Sequence, residues 1–457
     1  MKQAVQKQKL DMLNGPLWNK IPQFALPVAA TAILEQLFNA SDIAVVGNFS
    51  GAASTIAVAA VGANSFVISL VVNFFIGIAL GANVVIANAI GREDTDAVHR
   101  AVHTAVVVAV LGGVLVTVLG ELAAGPALRA LNVPAEVLPY ALLYLRIYLL
   151  GVPVILLYNF EAAIFRSVGD TRVPLQTLAF SGVLNVLLNL FFVIVLHMTV
   201  NGVATATVLS NAISSVLLFV RLRRSDKAIH LEWAALRIDR RSLQKILQIG
   251  IPAGIQSAVF SISNIVIQSA INSLGTVVMA ASSAAFNIEV VAYDVLNSFS
   301  QACTTFVGQN YGAGKLDRCR KTLVLCLVED ALASGIAILL VLGSGHFLLS
   351  LFNRDPEVIA LGYTRLMTVF TAYFFSMLYE VMSGYLRGFG ISLVPALLTM
   401  LGVCGVRILW IATAFPRSRT FQTILLAYPL SLAATAVLIL LALLIYHPSR
   451  RTKGEAV

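Results

Sequence analysis

Three polar side chains interrupt the first long apolar segment, and they are the first residues that could do chemistry. Glu35, Asn39 and Asp42 stand at positions i, i+4 and i+7, so in a helix they lie within about 60° on one face. A charge at the centre of a bilayer costs about 3 kcal/mol or more, so an acid held there needs a function or a partner. Because its charged form is poorly solvated, such a carboxylate can bind and release a proton near neutral pH. The alternative is that this helix end reaches the lipid headgroups, where Asp42 would be an ordinary surface acid.

A second polar group lies in an apolar segment in the other half of the chain. Its members spread over more than a third of the circumference of a helix, which favours a helix that faces a cavity or polar neighbours rather than lipid. They are Asn287, Glu289, Tyr293, Asp294, Asn297 and Gln301. A buried network of hydrogen bonds between helices would explain the same pattern.

Amide and basic side chains in other apolar segments could serve these acids. Asn185 and Asn189 are four residues apart and share a helix face, where amides commonly pack against a neighbouring helix. Arg146 and Arg365 also stand within apolar segments, and they could neutralise acids on other helices.

The composition excludes a soluble protein. Of 457 residues, 58% are hydrophobic and 12% are charged, against about a quarter charged in soluble domains, and the mean hydropathy is +0.87. Lipid must therefore solvate much of the surface. The net charge of +9 is typical of the basic cytoplasmic loops of membrane proteins, so it does not indicate nucleic-acid binding.

The sequence lacks the motifs of soluble enzymes, including the P-loop, HExxH and GxSxG. Its four cysteines form no CxxC pair, and its six histidines form no ligand pattern. We therefore expect no catalytic residue, no metal site, no enzyme activity and no cofactor.

Twelve segments have the roughly 20 mostly apolar residues that a membrane-spanning helix needs. They cover about 22–47, 56–83, 97–120, 137–160, 174–197, 202–222, 245–272, 280–305, 322–343, 358–382, 394–416 and 423–446. This predicts an all-α, multi-pass membrane protein. With both termini on one side, that side collects 24 of the 31 Lys and Arg residues, which predicts cytoplasmic termini.

The chain contains two copies of one apolar unit. With an offset of 221 residues Arg166 pairs with Arg387, and with an offset of 225 Pro27 pairs with Pro252. Many membrane carriers are duplicated in this way, with the substrate path between the copies. Since six spans is an even number, both copies enter the membrane in the same direction, which predicts two pseudo-symmetric six-helix lobes.

The repeat predicts three parts of the chain. They are an N-terminal six-helix lobe at 1–222, a basic cytoplasmic linker at 223–244 and a C-terminal six-helix lobe at 245–457. The linker carries Leu231 and Trp233 among basic residues, which predicts a short amphipathic segment lying on the inner leaflet.

Several segments resemble the multidrug and toxic compound extrusion (MATE) family. Residues 306–315, FVGQNYGAGK, are similar to the family's loop after the eighth helix. Residues 27–47 are similar to its first helix, with Asp42 at the matching distance from the proline. Residues 166–171 and 386–390 resemble the exits of its fourth and tenth helices. Together the motifs and the repeat cover nearly the whole chain.

The resemblance implies a secondary exporter of amphiphilic, often cationic compounds, driven by H⁺ or Na⁺ through alternating access. We expect a monomer in contact with lipid in the plasma membrane of a prokaryote. The resemblance places the coupling acid at Asp42, with Glu35, Asn39, Asn185 and Asn189 as further candidates.

The resemblance leaves the coupling ion open. Proton-coupled relatives often carry Asn-x-x-x-Asp in helix 5, where this chain has Asn185 and Asn189. Sodium-coupled relatives carry acids in helices 7 and 10, where the alignment gives Phe260 and Ser376. Glu35, Glu289 and Asp294 could compensate for the missing acids.

Three other functions compete with an exporter. A flippase of lipid-linked or polysaccharide precursors shares the superfamily fold, but it would need a basic cleft for pyrophosphate. The sequence offers it Arg146, Arg365 and Arg407 within spans. An intramembrane enzyme would need a metal or nucleophile constellation, which the sequence lacks. A binding protein without turnover differs from a carrier in showing no substrate-stimulated ion counterflow.

Overall fold

The computed structural model describes residues 10–131, 133–225 and 228–448, and nearly all of these residues are helical. In chain order, α1 to α12 are Lys20–Phe49, Ser54–Gly91, Thr95–Ala130, Leu138–Ser167, Arg172–Val195, Val200–Arg223, Arg240–Asn272, Thr276–Gly312, Leu316–Ser350, Pro356–Gly388, Leu393–Thr413 and Phe421–Tyr446. These three ranges contain no β-strand.

All twelve helices are long and apolar enough to cross a membrane. The predicted all-α fold with twelve spans is therefore confirmed, and each predicted segment coincides with one helix. Several helices extend past their apolar stretch, as α3 does at Thr95–Ala130, because a helix satisfies its own backbone hydrogen bonds whether or not its surface is apolar.

Two helices contain π-helical stretches, which are rare and often occur at functional sites. In α5, Arg172–Leu190 is followed by a π-helical stretch at Phe191–Val195. In α11, a π-helical stretch at Met400–Gly405 separates two short α-helical pieces. Asn189 lies two residues before the first stretch, and Arg407 lies two residues after the second.

Contacts divide the described residues into two compact units. The N-unit comprises Ala30–Gly250, and the C-unit comprises Leu10–Ala29 together with the described residues from Ile251 onward. The apolar core of the N-unit is built mainly from α2 to α6, and a large core of the C-unit is built mainly from α7, α8, α10 and α12. The predicted division of the chain at 222 and 245 stays a prediction.

The residues before α1 belong to the core of the C-unit. Met12 is 1% exposed and packs among apolar residues of α8, α9 and α10. The guanidinium of Arg318 donates to the carbonyls of Met12 (3.1 Å) and Gly15 (2.8 Å), and Asn310 Nδ2 donates to the Met12 carbonyl (3.2 Å). The amide at the end of α8 and the guanidinium at the start of α9 therefore bind the backbone of the N-terminal segment.

The linker between α6 and α7 packs on the N-unit. Leu231 is 1% exposed within the apolar core, whereas Trp233 is 61% exposed. The linker's only helical residues in the described ranges form a three-residue 3₁₀ turn at Trp233–Ala235. The prediction that the linker lies on the inner leaflet is therefore wrong for Leu231, because this side chain is buried in protein. Trp233 is exposed and can contact lipid.

Glycines allow α2 and the start of α7 to pack backbone to backbone in the N-unit. A Cβ on Gly250 would lie 2.6 Å from the Cα of Ile78 and 3.2 Å from the carbonyl oxygen of Gly77. A Cβ on Gly81 would meet the backbone of Gly250 at 2.8 Å. Small residues at helix contacts permit this close approach in membranes.

Replacing Gly250 by Ala should therefore destabilise the protein by about 1–3 kcal/mol, because a backbone cannot move aside for the added methyl group. Thermal unfolding of the purified protein in detergent measures the loss. Gly335→Ala is the matched control, because a Cβ on this helical glycine meets nothing within 4 Å. The control should gain up to about 1 kcal/mol from helix propensity, and equal behaviour of the two variants would contradict the packing argument.

Candidate functional site

In the N-unit, α1, α5 and α6 bring a buried carboxylate together with neutral hydrogen-bond donors. Asp42 is 5% exposed. Asn189 Nδ2 donates to Asp42 Oδ1 at 2.5 Å, and the hydroxyl of Thr207 donates to Asp42 Oδ2 at 2.9 Å. Within the described part of the chain, no Lys, Arg or His forms an ion pair with Asp42. Asp42 is therefore not an exposed surface acid.

The i, i+4 spacing in α5 places both amides in this cluster. Asn189 is fully buried, and its Nδ2 also donates to Asn185 Oδ1 at 3.1 Å. The predicted shared face of Asn185 and Asn189 is confirmed. Of the other candidates on α1, Glu35 is half-buried and Asn39 is exposed.

Sequence reasoning missed Thr207. Its hydroxyl also lies 3.0 Å from the Val203 carbonyl, one turn back in α6. A Thr in a membrane helix commonly makes this local bond, so its residue type gave no signal. Only the approach of α1 to α6 reveals the second bond, to Asp42.

In the C-unit, two of the predicted polar residues face buried partners. Arg365 and Glu289 form a bidentate ion pair between α10 and α8, with Nε–Oε1 at 2.7 Å and Nη2–Oε2 at 2.9 Å. Their side chains are 2% and 4% exposed. Arg146 on α4 pairs with Glu121 on α3 at 3.5 Å. The prediction that both arginines neutralise acids on other helices is confirmed.

A cavity of about 190 Å³ lies within the C-unit, beside this ion pair. Glu289 and Tyr293 line it, together with Arg407 on α11. Phe260 and Ser376, at the positions where sodium-coupled relatives carry acids, also line it. Most of the remaining lining is aromatic or aliphatic: Phe286, Val290, Val369, Tyr373, Tyr379, Tyr428 and Leu432.

The other predicted cavity residues of α8 lie elsewhere. Asn287 is exposed and donates to the Ser283 carbonyl of its own helix at 2.9 Å. Asp294, Asn297 and Gln301 are half-buried and are not among the lining residues. Their assignment to a cavity stays a prediction.

Further acids are buried against hydroxyl groups, and Glu161 and Glu380 are among them. In the N-unit the Ser215 hydroxyl donates to Glu161 Oε2 at 3.0 Å. In the C-unit the Tyr293 hydroxyl donates to Glu380 Oε1 at 3.1 Å. Among the described residues no three His, Cys, Asp or Glu side chains could hold a metal ion.

Known proteins resemble this chain over most of its length. The probable multidrug resistance protein YoeA of Bacillus subtilis is 25% identical over 401 residues, 86% of either chain. The probable multidrug resistance protein NorM of Thermotoga maritima is 26% identical over 445 residues, 95% of this chain and 93% of that protein. Twelve spans and bacterial relatives indicate a multi-pass protein of the plasma membrane.

A solved structure supports the fold. It is the outward-facing conformation of a multidrug resistance MATE family transporter of the MOP superfamily. The match has a TM-score of 0.89 at 20% identity and covers 98% of this chain and 99% of that one.

The family comparison also confirms the internal repeat. A model of the MatE family matches the chain twice, at residues 27–191 and 252–412. The two matches begin 225 residues apart, which is the offset that pairs Pro27 with Pro252. Because they cover well over half of the 457 residues, this protein belongs to the multidrug and toxic compound extrusion (MATE) family.

Proposed function

We propose that this protein is a monomeric secondary exporter of amphiphilic, often cationic compounds, driven by proton entry through alternating access, with Asp42 as the coupling group. Membership of a family of multidrug transporters supports export. One observation carries the assignment to Asp42: this carboxylate is buried, and neutral groups, among them those of Asn189 and Thr207, donate hydrogen bonds to it.

A buried carboxylate without a cation is poised for neutralisation by a proton. Removing a charge from water is costly unless it is paired, and neutral donors compensate only part of that cost. Glu289, whose two oxygens are held by Arg365, is stabilised as an anion by contrast. Proton binding at Asp42 therefore breaks no ion pair, so it costs less than proton binding at an acid that is paired with a buried arginine.

Thr207 can serve Asp42 in both protonation states. A hydroxyl has one proton to donate and can also accept, and Thr207 Oγ1 lies within hydrogen-bond distance of both Asp42 Oδ2 and the Val203 carbonyl. When Asp42 is ionised, Thr207 donates to Oδ2. When Oδ2 is protonated, Thr207 accepts from it and donates to Val203, so neither state leaves this hydroxyl proton without an acceptor.

The donors around Asp42 favour H⁺ over Na⁺ as the coupling ion. A hard cation needs several converging oxygen atoms, whereas each oxygen of Asp42 faces an N–H or O–H donor. At the positions of the sodium site, Phe260 and Ser376 bring no carboxylate.

The proposed cycle couples the proton to the conformation. Asp42 takes up a proton from outside in the outward-open state, its neutral form favours the rearrangement of the lobes, and substrate leaves. Opening to the inside releases the proton and readmits substrate. The proton drives the cycle only because it binds the outward-open and inward-open states with different affinities.

The rival functions find less support in the described geometry. A flippase needs several free basic groups for pyrophosphate, but Arg146 and Arg365 are both paired with glutamates. An intramembrane enzyme would need a metal or nucleophile cluster, and the described ranges hold no candidate metal site.

Proteoliposomes containing the purified protein and a trapped pH-sensitive dye test this function. An imposed gradient of ethidium, an amphiphilic cation, should move protons in the opposite direction at unchanged Na⁺. A flow of Na⁺ without proton flow would contradict proton coupling alone, whereas binding without counterflow would show a receptor instead of an exporter.

A further inference from the structure

The cavity of the C-unit carries one charge that no acid of the described chain neutralises. Its two charged lining side chains are Glu289 and Arg407. Both oxygens of Glu289 are held by Arg365. Arg407 is 3% exposed and forms no ion pair with a described acidic residue. A positive charge therefore remains at the wall of an aromatic cavity.

Arg407 is fixed in position but retains free hydrogen-bond donors. Its Nε donates to Ser431 Oγ at 3.1 Å and its Nη1 contacts Asn264 Oδ1 at 3.4 Å. No described residue accepts a hydrogen bond from Nη2. Since a guanidinium has five N–H groups and no acceptor, its remaining capacity fits a ligand oxygen.

Two aromatic rings contact the guanidinium of Arg407. The Arg407 Cζ atom lies 4.5 Å from the centroid of the Tyr428 ring and 5.4 Å from that of Phe260. Cation–π contacts offset only part of the cost of burying a cation. An anion bound at the edge of the guanidinium would offset the remaining cost through charge-assisted hydrogen bonds.

A further acid, Glu380, follows the lining residue Tyr379 in the chain. Its Oε1 accepts from the Tyr293 hydroxyl, and Glu380 is not among the lining residues. Tyr293 lines the cavity, so its ring rather than the carboxylate is presented to a ligand.

We propose that this cavity binds an anionic aromatic compound, with its carboxylate or sulfonate on Arg407 and its ring among the lining Phe and Tyr side chains. The volume of about 190 Å³ is below the roughly 300–1,000 Å³ of sites for drug-sized ligands, so the ligand has one or two rings. An arylammonium cation would meet Arg407 as a like charge and is excluded. This site is separate from Asp42 and does not depend on the proposed proton coupling.

Isothermal titration calorimetry on the full chain in detergent, in gluconate buffer, tests the site. The probes are 2-naphthoate, neutral 2-naphthalenemethanol, cationic 2-naphthylmethylammonium and ringless acetate. The wild-type protein should bind 2-naphthoate more tightly than the other three. Arg407→Gln should weaken 2-naphthoate binding by about 10- to 100-fold, as expected for hydrogen bonds to a charged group.

Three variants separate a site from a folding defect. Arg407→Lys keeps the charge without the planar fork and should bind with intermediate affinity. Ser376→Phe fills the cavity and should abolish binding while Arg407 is retained. Arg417→Gln makes the same charge change at an exposed position and should bind as the wild type does.

The proposal is overturned by any of four results. These are no binding of 2-naphthoate to the wild type, equal binding by Arg407→Gln, binding that survives Ser376→Phe, or tighter binding of the cationic analogue than of 2-naphthoate. Because the readout is binding, these results leave the test of proton-coupled export unaffected.

Discussion

Replacing Asp42 by Asn should reduce substrate-driven proton movement in proteoliposomes to the level of protein-free vesicles, while the protein remains folded. Asparagine has nearly the same shape and can still accept from Asn189, but it cannot bind and release a proton. Since the variant also removes a buried charge that no described cation pairs with, its thermal stability should match or exceed that of the wild type.

Asp96→Asn controls for the loss of an acid in itself, because Asp96 is exposed at the start of α3. It should move protons at the wild-type rate. Coupled transport by Asp42→Asn at that same rate would show that another group couples the proton. An inactive wild type would instead refute the proposed export itself, so the two failures are distinguishable.

Replacing Arg365 by Met should destabilise the protein by about 3–5 kcal/mol, because it leaves Glu289 as an unpaired buried charge. The pair is bidentate, at 2.7 Å and 2.9 Å, and Arg365 also donates to Ser282 Oγ and Tyr428. Unfolding by heat and by denaturant in detergent, measured against the wild type, gives the loss.

Two comparisons test whether the unpaired buried charge of Glu289 causes the expected loss of stability. Arg146→Met breaks a pair whose arginine side chain is 54% exposed, so it should cost much less. The double replacement Arg365→Met, Glu289→Leu removes both charges and should recover most of the loss, as replacement of buried ion pairs often does. A double variant no more stable than Arg365→Met would refute this explanation.

Periodic and long-range patterns were enough to predict the architecture. The lengths of the apolar segments predicted the twelve spans. The offset between Pro27 and Pro252 predicted the repeat, and the two matches to the family model have the same offset. The i, i+4 spacing gave the shared face of Asn185 and Asn189. The spans and the shared face depend on helix geometry, which the sequence encodes locally, whereas the repeat is visible because the same residues recur at a fixed offset.

Partners on different helices could not be predicted in the same way. Thr207 bonds its own helix as well as Asp42, so its type does not distinguish the two roles. Arg407 is one of three arginines within the predicted spans. Only the structure shows that Arg146 and Arg365 form ion pairs with glutamates, unlike Arg407 among the described residues. These assignments depend on which helices meet, and at what height, which no local pattern specifies.

The two copies of the repeat differ in their unpaired charges. Asp42 of α1 corresponds to Ile267 of α7 at an offset of 225 residues, so the copies share a fold but not this acid. The N-unit holds a buried anion without a cation, and the C-unit holds a buried cation without an acid. The proposed proton site and the proposed anion site therefore lie in different units.

The N-terminal segment also sets an order of events during synthesis. Met12 binds Asn310 across a sequence separation of 298 residues. At about 5–20 residues per second, a ribosome needs about 15–60 s to reach Asn310 after it has made Met12. During that time residues 30–250 can complete the N-unit, so the first described residues of the chain are among the last to reach their place.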